Sequence, residues 1–388
     1  MYADLGPLMA SILWQPTEHC GTSASRRKTE NHILPGYAVG TPRIAAIDGL
    51  RALAILAVLG CHGLGNILPG GFFGVDVFFV ISGFVITRSL ASEWDRTGLV
   101  RPGTFFGRRV LRLWPAFGAM LLAVLTLAIA SDSTGYRWSV LVAALSISNW
   151  ARAFADWDGG LLGHTWSLSA KEQFYLIWPA LLVLTGALAH RRGLARALVI
   201  AIVAASAWRL LLLVSGASPA RLFFGLDTHC EGLLIGCLLA IARPAWVGPE
   251  VTCHWWIPAA ALVGLSLTQH TESALTLSLE LLLAPLCAGW ILLAAVDGAR
   301  GLSALTSRPA LWLGTRSYSI YLWHLPIFAL IGVLGQSVLL SLPLELGITF
   351  AIAELSYRLL ERPFQVRRSR EAVHPPASLH APQNIGSS

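Results

Sequence analysis

Apolar stretches long enough to cross a bilayer recur along this chain, and short arginine-rich loops separate them. They fall at about 44–65, 71–90, 114–131, 138–151, 167–189, 197–215, 230–243, 256–268, 275–296, 317–334 and 337–357. In hydrocarbon only helices and closed barrels satisfy every backbone polar group, and a spanning helix needs about 20 apolar residues. Windows of helix length make the fold class an all-α polytopic membrane protein. Composition agrees, with 55% hydrophobic and 13% charged residues against about 25% charged in an ordinary soluble domain.

The loop charges test the number of crossings. Arg26, Arg27 and Lys28 precede the first window, and Arg96, Arg101, Arg108, Arg109 and Arg112 follow the second. Further clusters are Arg191, Arg192 and Arg196, then Arg300 and Arg308, then Arg358, Arg362, Arg367, Arg368 and Arg370. The positive-inside rule puts all of them on the cytoplasmic side only if the number of crossings is even. The window 138–151 is short and ends in the polar "SISNW", so it is the one that does not cross. The expected topology is about ten transmembrane helices with an extra outer-side re-entrant or interfacial segment. Residues 1–42 read as a largely disordered cytosolic tail, 43–366 as the membrane domain, and the Pro/Ser-rich 367–388 as a second disordered cytosolic tail. The first span is expected to act as the insertion signal. The net charge of +7 lies in loops rather than on one soluble face, which argues against nucleic-acid binding. Six scattered cysteines without CxxC spacing read as apolar fillers, and no metal site is expected.

Ionisable residues inside such windows are functional candidates. In "IDGLRALAILAVLGCHGLG" Arg51 and His62 lie eleven positions apart, about three helical turns, so they share one face about 16 Å apart. Arg51 can be a snorkelling anchor paired with Asp48; His62 can be a general base, since an imidazole titrates near working pH. Asp76, at the start of "GVDVFFVISGFVIT", is joined to His62 by a short turn and is a candidate to orient it. "GHTWSLSAKEQFYLIWP" opens a span with His164, Trp166, Ser167, Lys171 and Glu172, as the wall of a wet cavity does. "GLDTHCEGLLIG" repeats the theme with Asp227, His229 and Glu231. In "FFGRRVLRLWP" Arg108, Arg109 and Arg112 can grip phosphate with bidentate forks or hold anionic lipid. Tyr318, Tyr321 and His324 fall within "LGTRSYSIYLWHLPIF", and "YRLLERPF" closes the last window.

Taken in order, these motifs resemble the acyltransferase 3 family of polytopic membrane O-acyltransferases, over about residues 43–366. The resemblance implies transfer of an acyl group, acetyl foremost, from acyl-CoA to a hydroxyl of a cell-surface polysaccharide, lipopolysaccharide or lipid-linked sugar. It implies a bacterial inner-membrane protein with both termini cytoplasmic, acting alone or with a separate partner. The family's essential Arg-x10-His pair falls on Arg51 and His62, its second-span aspartate on Asp76, its RR-x-x-R arginines on Arg108, Arg109 and Arg112, and its glutamate on Glu172. His164, Trp166, Ser167, Asp227, His229 and Glu231 are the expected acceptor side. Two positions depart from the pattern: Lys171 stands where relatives carry the first Glu of E-E-Q, and Thr228, His229 and Glu231 stand where they often read T-R-x-D. A small-metabolite acceptor such as a macrolide, a transporter or flippase for an envelope glycolipid, and a catalytically dead relative are the competing readings.

Overall fold

A computed structural model describes residues 44–364, apart from 65–66, 156, 244–246, 269–272 and 333–337. Both expected tails lie outside the described residues. Among the described residues the chain forms fourteen α-helices and no strand. In order they are α1 (Ala45–Leu64), α2 (Gly74–Thr97), α3 (Pro102–Ala130), α4 (Thr134–Ala144), α5 (Ser148–Phe154), α6 (Trp166–Thr185) and α7 (Arg191–Val214), followed by α8 (Pro219–Phe224), α9 (Glu231–Ile241), α10 (Pro249–Thr252), α11 (Trp256–Thr268), α12 (Leu281–Val296), α13 (Arg308–Gly332) and α14 (Val338–Ser356). Among the described residues, five stretches are long and apolar enough to cross a membrane by length and composition: Ala45–Leu64, Pro69–Thr97, Pro102–Ala130, Ala187–Val214 and Thr276–Val296.

Two departures from the expected elements bear on function. Helix α3 begins at Pro102, well before the apolar window at 114, because proline at the first helical position lacks only an N–H that would be unpaired anyway. Arg108, Arg109 and Arg112 therefore belong to the bundle helix itself, not to a separate amphipathic segment. The window 138–151 is broken into α4 and α5, with Ser146 at φ 54° between them. The polar groups of that break are satisfied by α6: Gln173 Nε2 donates to the Ser146 carbonyl (2.8 Å) and to Asn149 Oδ1 (2.8 Å), and the Ser148 amide donates to Ser169 Oγ (3.2 Å). The polar end of one window and the polar start of the next are thus two halves of one hydrogen-bonded seam.

Glycines decide how closely the central helices approach. A Cβ on Gly83 of α2 would sit 2.0 Å from the Leu233 carbonyl oxygen, and one on Gly236 of α9 would sit 2.1 Å from that of Val80. Gly232 and Gly236 form a GxxxG pair, the spacing that lets two helix backbones touch where lipid offers no hydrophobic drive. With 11 residues, α9 is only about 16 Å long and is wedged against α2.

Candidate active site

Two cavities lie inside the bundle, and the buried Tyr321 of α13 lines both. The larger, about 740 Å³, is bounded by His62 of α1, Phe72, Arg152 of α5, His164, Trp166 of α6 and Phe223 of α8. His62 and His164 line it, and the buried His324 packs against both. The ring of His324 on α13 lies 5.0 Å from that of His62 and 5.1 Å from that of His164. His62 Nδ1 donates to the Val58 carbonyl (3.0 Å), one helical turn back on α1. A carbonyl can only accept, so in the neutral ring Nε2 carries the lone pair, as a general base requires. His324 repeats the arrangement, with Nδ1 donating to the Tyr321 carbonyl (2.7 Å) and Nε2 without a hydrogen-bond partner among the described residues. The Arg152 guanidinium lies 3.9 Å over the Phe224 ring and donates to the Gly163 carbonyl (3.2 Å).

The second cavity, about 120 Å³, is cationic: Arg51, Arg109, Arg112 and Lys171 line it, with Glu172 the only carboxylate among the lining residues. Arg51 reaches Asp48 at 3.7 Å, the i,i+3 pairing expected for an anchor, and still presents its side chain to the cavity. Arg109 lies flat on Tyr175, with its guanidinium carbon 3.4 Å from the ring centroid. Arg109 and Arg112 share a face because they are three positions apart. Arg108 is turned about 100° from Arg109 and does not line this cavity. The expected three-arginine grip is thus a pair on α3 joined by Arg51 from α1. Glu172 accepts a hydrogen bond from Ser146 at the break between α4 and α5.

Asp76 does not orient His62. Its Oδ1 pairs with Nε2 of His229 at 3.0 Å, and His229 Nδ1 donates to the Phe223 carbonyl (2.7 Å). Both side chains are at most 2% exposed. The reason is geometric: α9 packs on α2 through the glycine seam, and the turn before α9 delivers His229 to the first turn of α2. Glu231 is likewise taken, by a buried ion pair with Arg209 of α7 and a hydrogen bond from Ser206 (3.0 Å). Asp227 pairs with Arg221 (2.9 Å) and accepts from Trp208 Nε1 (2.9 Å). Partial burial pushes the Asp227 carboxyl up, but those hydrogen bonds and the arginine charge hold it below the ordinary carboxylate range. Asp227, His229 and Glu231 therefore tie α2, α7, α8 and α9 together and do not line the histidine cavity. Of the expected acceptor set, His164 and Trp166 line it, while Ser167 is bonded to the Tyr321 hydroxyl at 2.7 Å.

Several residues gain importance only in three dimensions. Tyr321 and His324 were polar groups in an apolar window, and the packing of α13 on α1 makes them the wall between the cavities and the partner of His62. Arg209 carried a signal, a lone arginine in the window 197–215, without an identifiable partner. The Glu361 carboxyl of "ERPF" accepts from Ser319 and lies within electrostatic reach of Arg112 and Arg51.

A family model described as an acyltransferase domain matches residues 44–356, which takes in both cavities and every ion pair just described. The chain belongs to the acyltransferase 3 family. It is an integral membrane protein, as that family and its long apolar helices require. Among curated proteins it is 35% identical over 346 residues to the peptidoglycan O-acetyltransferase OatA of Listeria monocytogenes, covering 83% of this chain and 56% of the relative. It is 31% identical over 377 residues to YrhL of Bacillus subtilis, provisionally named a peptidoglycan O-acetyltransferase, covering 88% of this chain and 57% of the relative. A Staphylococcus aureus protein provisionally named an O-acetyltransferase matches at 31% over 347 residues, covering 83% of this chain and 57% of the relative. The chain thus spans just over half the length of these relatives. No solved structure matches.

Proposed function

We propose that this chain is a membrane O-acetyltransferase that takes an acetyl group from acyl-CoA at the arginine pocket and delivers it to a glycan hydroxyl in the histidine cavity. The observation that carries the reading is that Tyr321 lines both cavities, with clustered guanidinium side chains in one and an imidazole lone pair in the other. The diphosphate end of the donor is held by Arg109, Arg112 and Arg51, whose fixed positive charge suits phosphate. The pantetheine arm runs past Tyr321 and sets the thioester carbonyl beside His62. His62 Nε2 removes the proton of the acceptor hydroxyl as its oxygen attacks that carbonyl. Arg152 and the aromatic walls of Trp166, Phe223 and Phe224 offer a sugar polar contacts and flat stacking faces. The relatives named for peptidoglycan support a cell-wall glycan as the acceptor class.

The orientation follows from the same charges. Ten crossings, with the broken α4–α5 segment entering and leaving on one side, put every arginine-rich loop in the cytoplasm and the histidine cavity toward the outer face. The donor is then loaded from inside and the acceptor from outside, in a bacterial inner membrane.

The test is purified protein in lipid, supplied with labelled acetyl-CoA and cell-wall glycan fragments, with thiol release and label transfer followed together. Wild type is expected to do both and His62→Ala neither. A carrier would move substrate without freeing thiol, and that result would remove the acyl-transfer reading.

A further inference from the structure

Lys171 stands one turn beyond Ser167 on α6, and both meet Tyr321. Ser167 Oγ bonds the phenol oxygen at 2.7 Å, while the Lys171 ammonium lies 5.5 Å from the centre of the same ring and 5.6 Å from that of Phe78. Among the described residues no hydrogen bond or ion pair holds that ammonium. Glu172, next in sequence, is within electrostatic reach and offsets part of that charge, and its carboxylate also accepts from Ser146. The other cations of the pocket, Arg51, Arg109 and Arg112, carry the same sign. Four cations facing one carboxylate leave this membrane-embedded cavity with an excess of positive charge, which an anion that comes with the ligand can match.

Position decides which anion that is. The phosphates belong with Arg109 and Arg112, on α3. Tyr321 is the common wall, and a thioester whose carbonyl reaches His62 in one cavity has its sulfur at that wall. Negative charge develops on this sulfur as the acyl–sulfur bond breaks. We infer that Lys171 is the leaving-group residue of the transfer, stabilising the departing thiolate of the donor and supplying its proton. The inference rests on the acyl-transfer reading above.

The step balances. The acceptor oxygen forms its bond to the carbonyl carbon as its proton passes to His62 Nε2. The tetrahedral adduct then collapses, the carbon–sulfur bond breaks and the sulfur keeps the electron pair. Lys171 gives that sulfur a proton and leaves as the neutral amine, which regains a proton equivalent to the one on His62. The net change is one proton moved from hydroxyl to thiol. An ionised glutamate, the side chain of the family pattern at this position, cannot offset the charge of a thiolate as an ammonium does, so the lysine sets this chain apart.

The experiment varies the leaving group while keeping the phosphates and the pantetheine arm. Wild type, Lys171→Gln and Lys171→Arg, full-length in lipid nanodiscs and checked for unchanged thermal midpoints, are assayed with acetyl-CoA and with acetyl-selenocoenzyme A. The selenolate is the weaker base and departs without help. Lys171→Gln is expected to lower kcat with acetyl-CoA about a hundredfold, as loss of a general acid does, and to leave the seleno donor near wild-type rate. Lys171→Arg is expected to fall between them, because a guanidinium neutralises charge but gives up no proton. Equal losses with both donors, or no loss with either, overturn the inference. A wild type that frees no thiol from either donor overturns the acyl-transfer reading itself, and this inference with it.

Discussion

Two clusters of this protein are built from the same kinds of residue and serve opposite ends. Around Tyr321, His62 and His324 spend one ring nitrogen on a backbone carbonyl and keep the other uncommitted, and His62 lines the larger cavity. Around the turn before α9, His229 spends one nitrogen on the Phe223 carbonyl and the other on Asp76, while Arg209 and Glu231 are locked together with no exposed surface. An imidazole with a free nitrogen next to open volume can move a proton. One bonded at both nitrogens in a closed packing fixes helices instead. The difference lies in whether an element with a carboxylate packs opposite, not in the residue type.

That contrast can be broken by mutation. At the open cluster His62→Gln is expected to lower acyl transfer about 10²- to 10⁴-fold with no change in thermal midpoint; turnover and melting of the same preparation check both halves. At the closed cluster Arg209→Ala is expected to leave a buried, uncompensated carboxylate and destabilise the fold by about 3–5 kcal/mol. The double change Arg209→Met with Glu231→Leu is expected to recover most of that loss in a detergent-resistance melt. If the single variant melts like wild type, the pair is not holding α7 to α9.

Smaller effects sharpen the boundary. Arg109→Ala is expected to weaken donor binding by about 1.5–3 kcal/mol, the scale of a hydrogen bond to a charged group, whereas Arg108→Ala leaves it unchanged; acyl-CoA titration compares them. An equal effect from both would mean that a diffuse basic surface, rather than one face of α3, binds the donor. At the edge of the closed cluster, where Arg221 is 14% and Asp227 38% exposed, Arg221→Ala removes a two-pronged partner of Asp227 and is expected to cost about 1 kcal/mol, read as a slight fall in thermal midpoint with acyl transfer retained.

Much of the open cluster was legible in the chain itself. Helical periodicity alone put Arg51 and His62 on one face, and the i,i+3 spacing of Arg109 and Arg112 separates them from Arg108 once α3 is known to start at Pro102. The helices were legible too, because bilayer length and backbone satisfaction leave few choices. The closed cluster was not. Asp76 and His229 are 153 positions apart, and only the glycine seam between α2 and α9 brings them together. Asp76 is nearer in sequence to His62, yet His62 finds its partner in its own helix at Val58. Tyr321 could be seen as a polar group in an apolar window, but its place between two cavities depends on α1, α2, α3, α5, α6 and α8 closing around it.

The central claim is that the two cavities form one route for an acyl group across Tyr321. Sealed vesicles carrying the protein in a single orientation test it directly, with labelled acetyl-CoA only on the face of the arginine pocket and a soluble cell-wall oligosaccharide only on the other. Label on the oligosaccharide is expected with wild type and none with His62→Gln. Label that appears only when donor and acceptor share a face, or that is equal in both proteins, would contradict it.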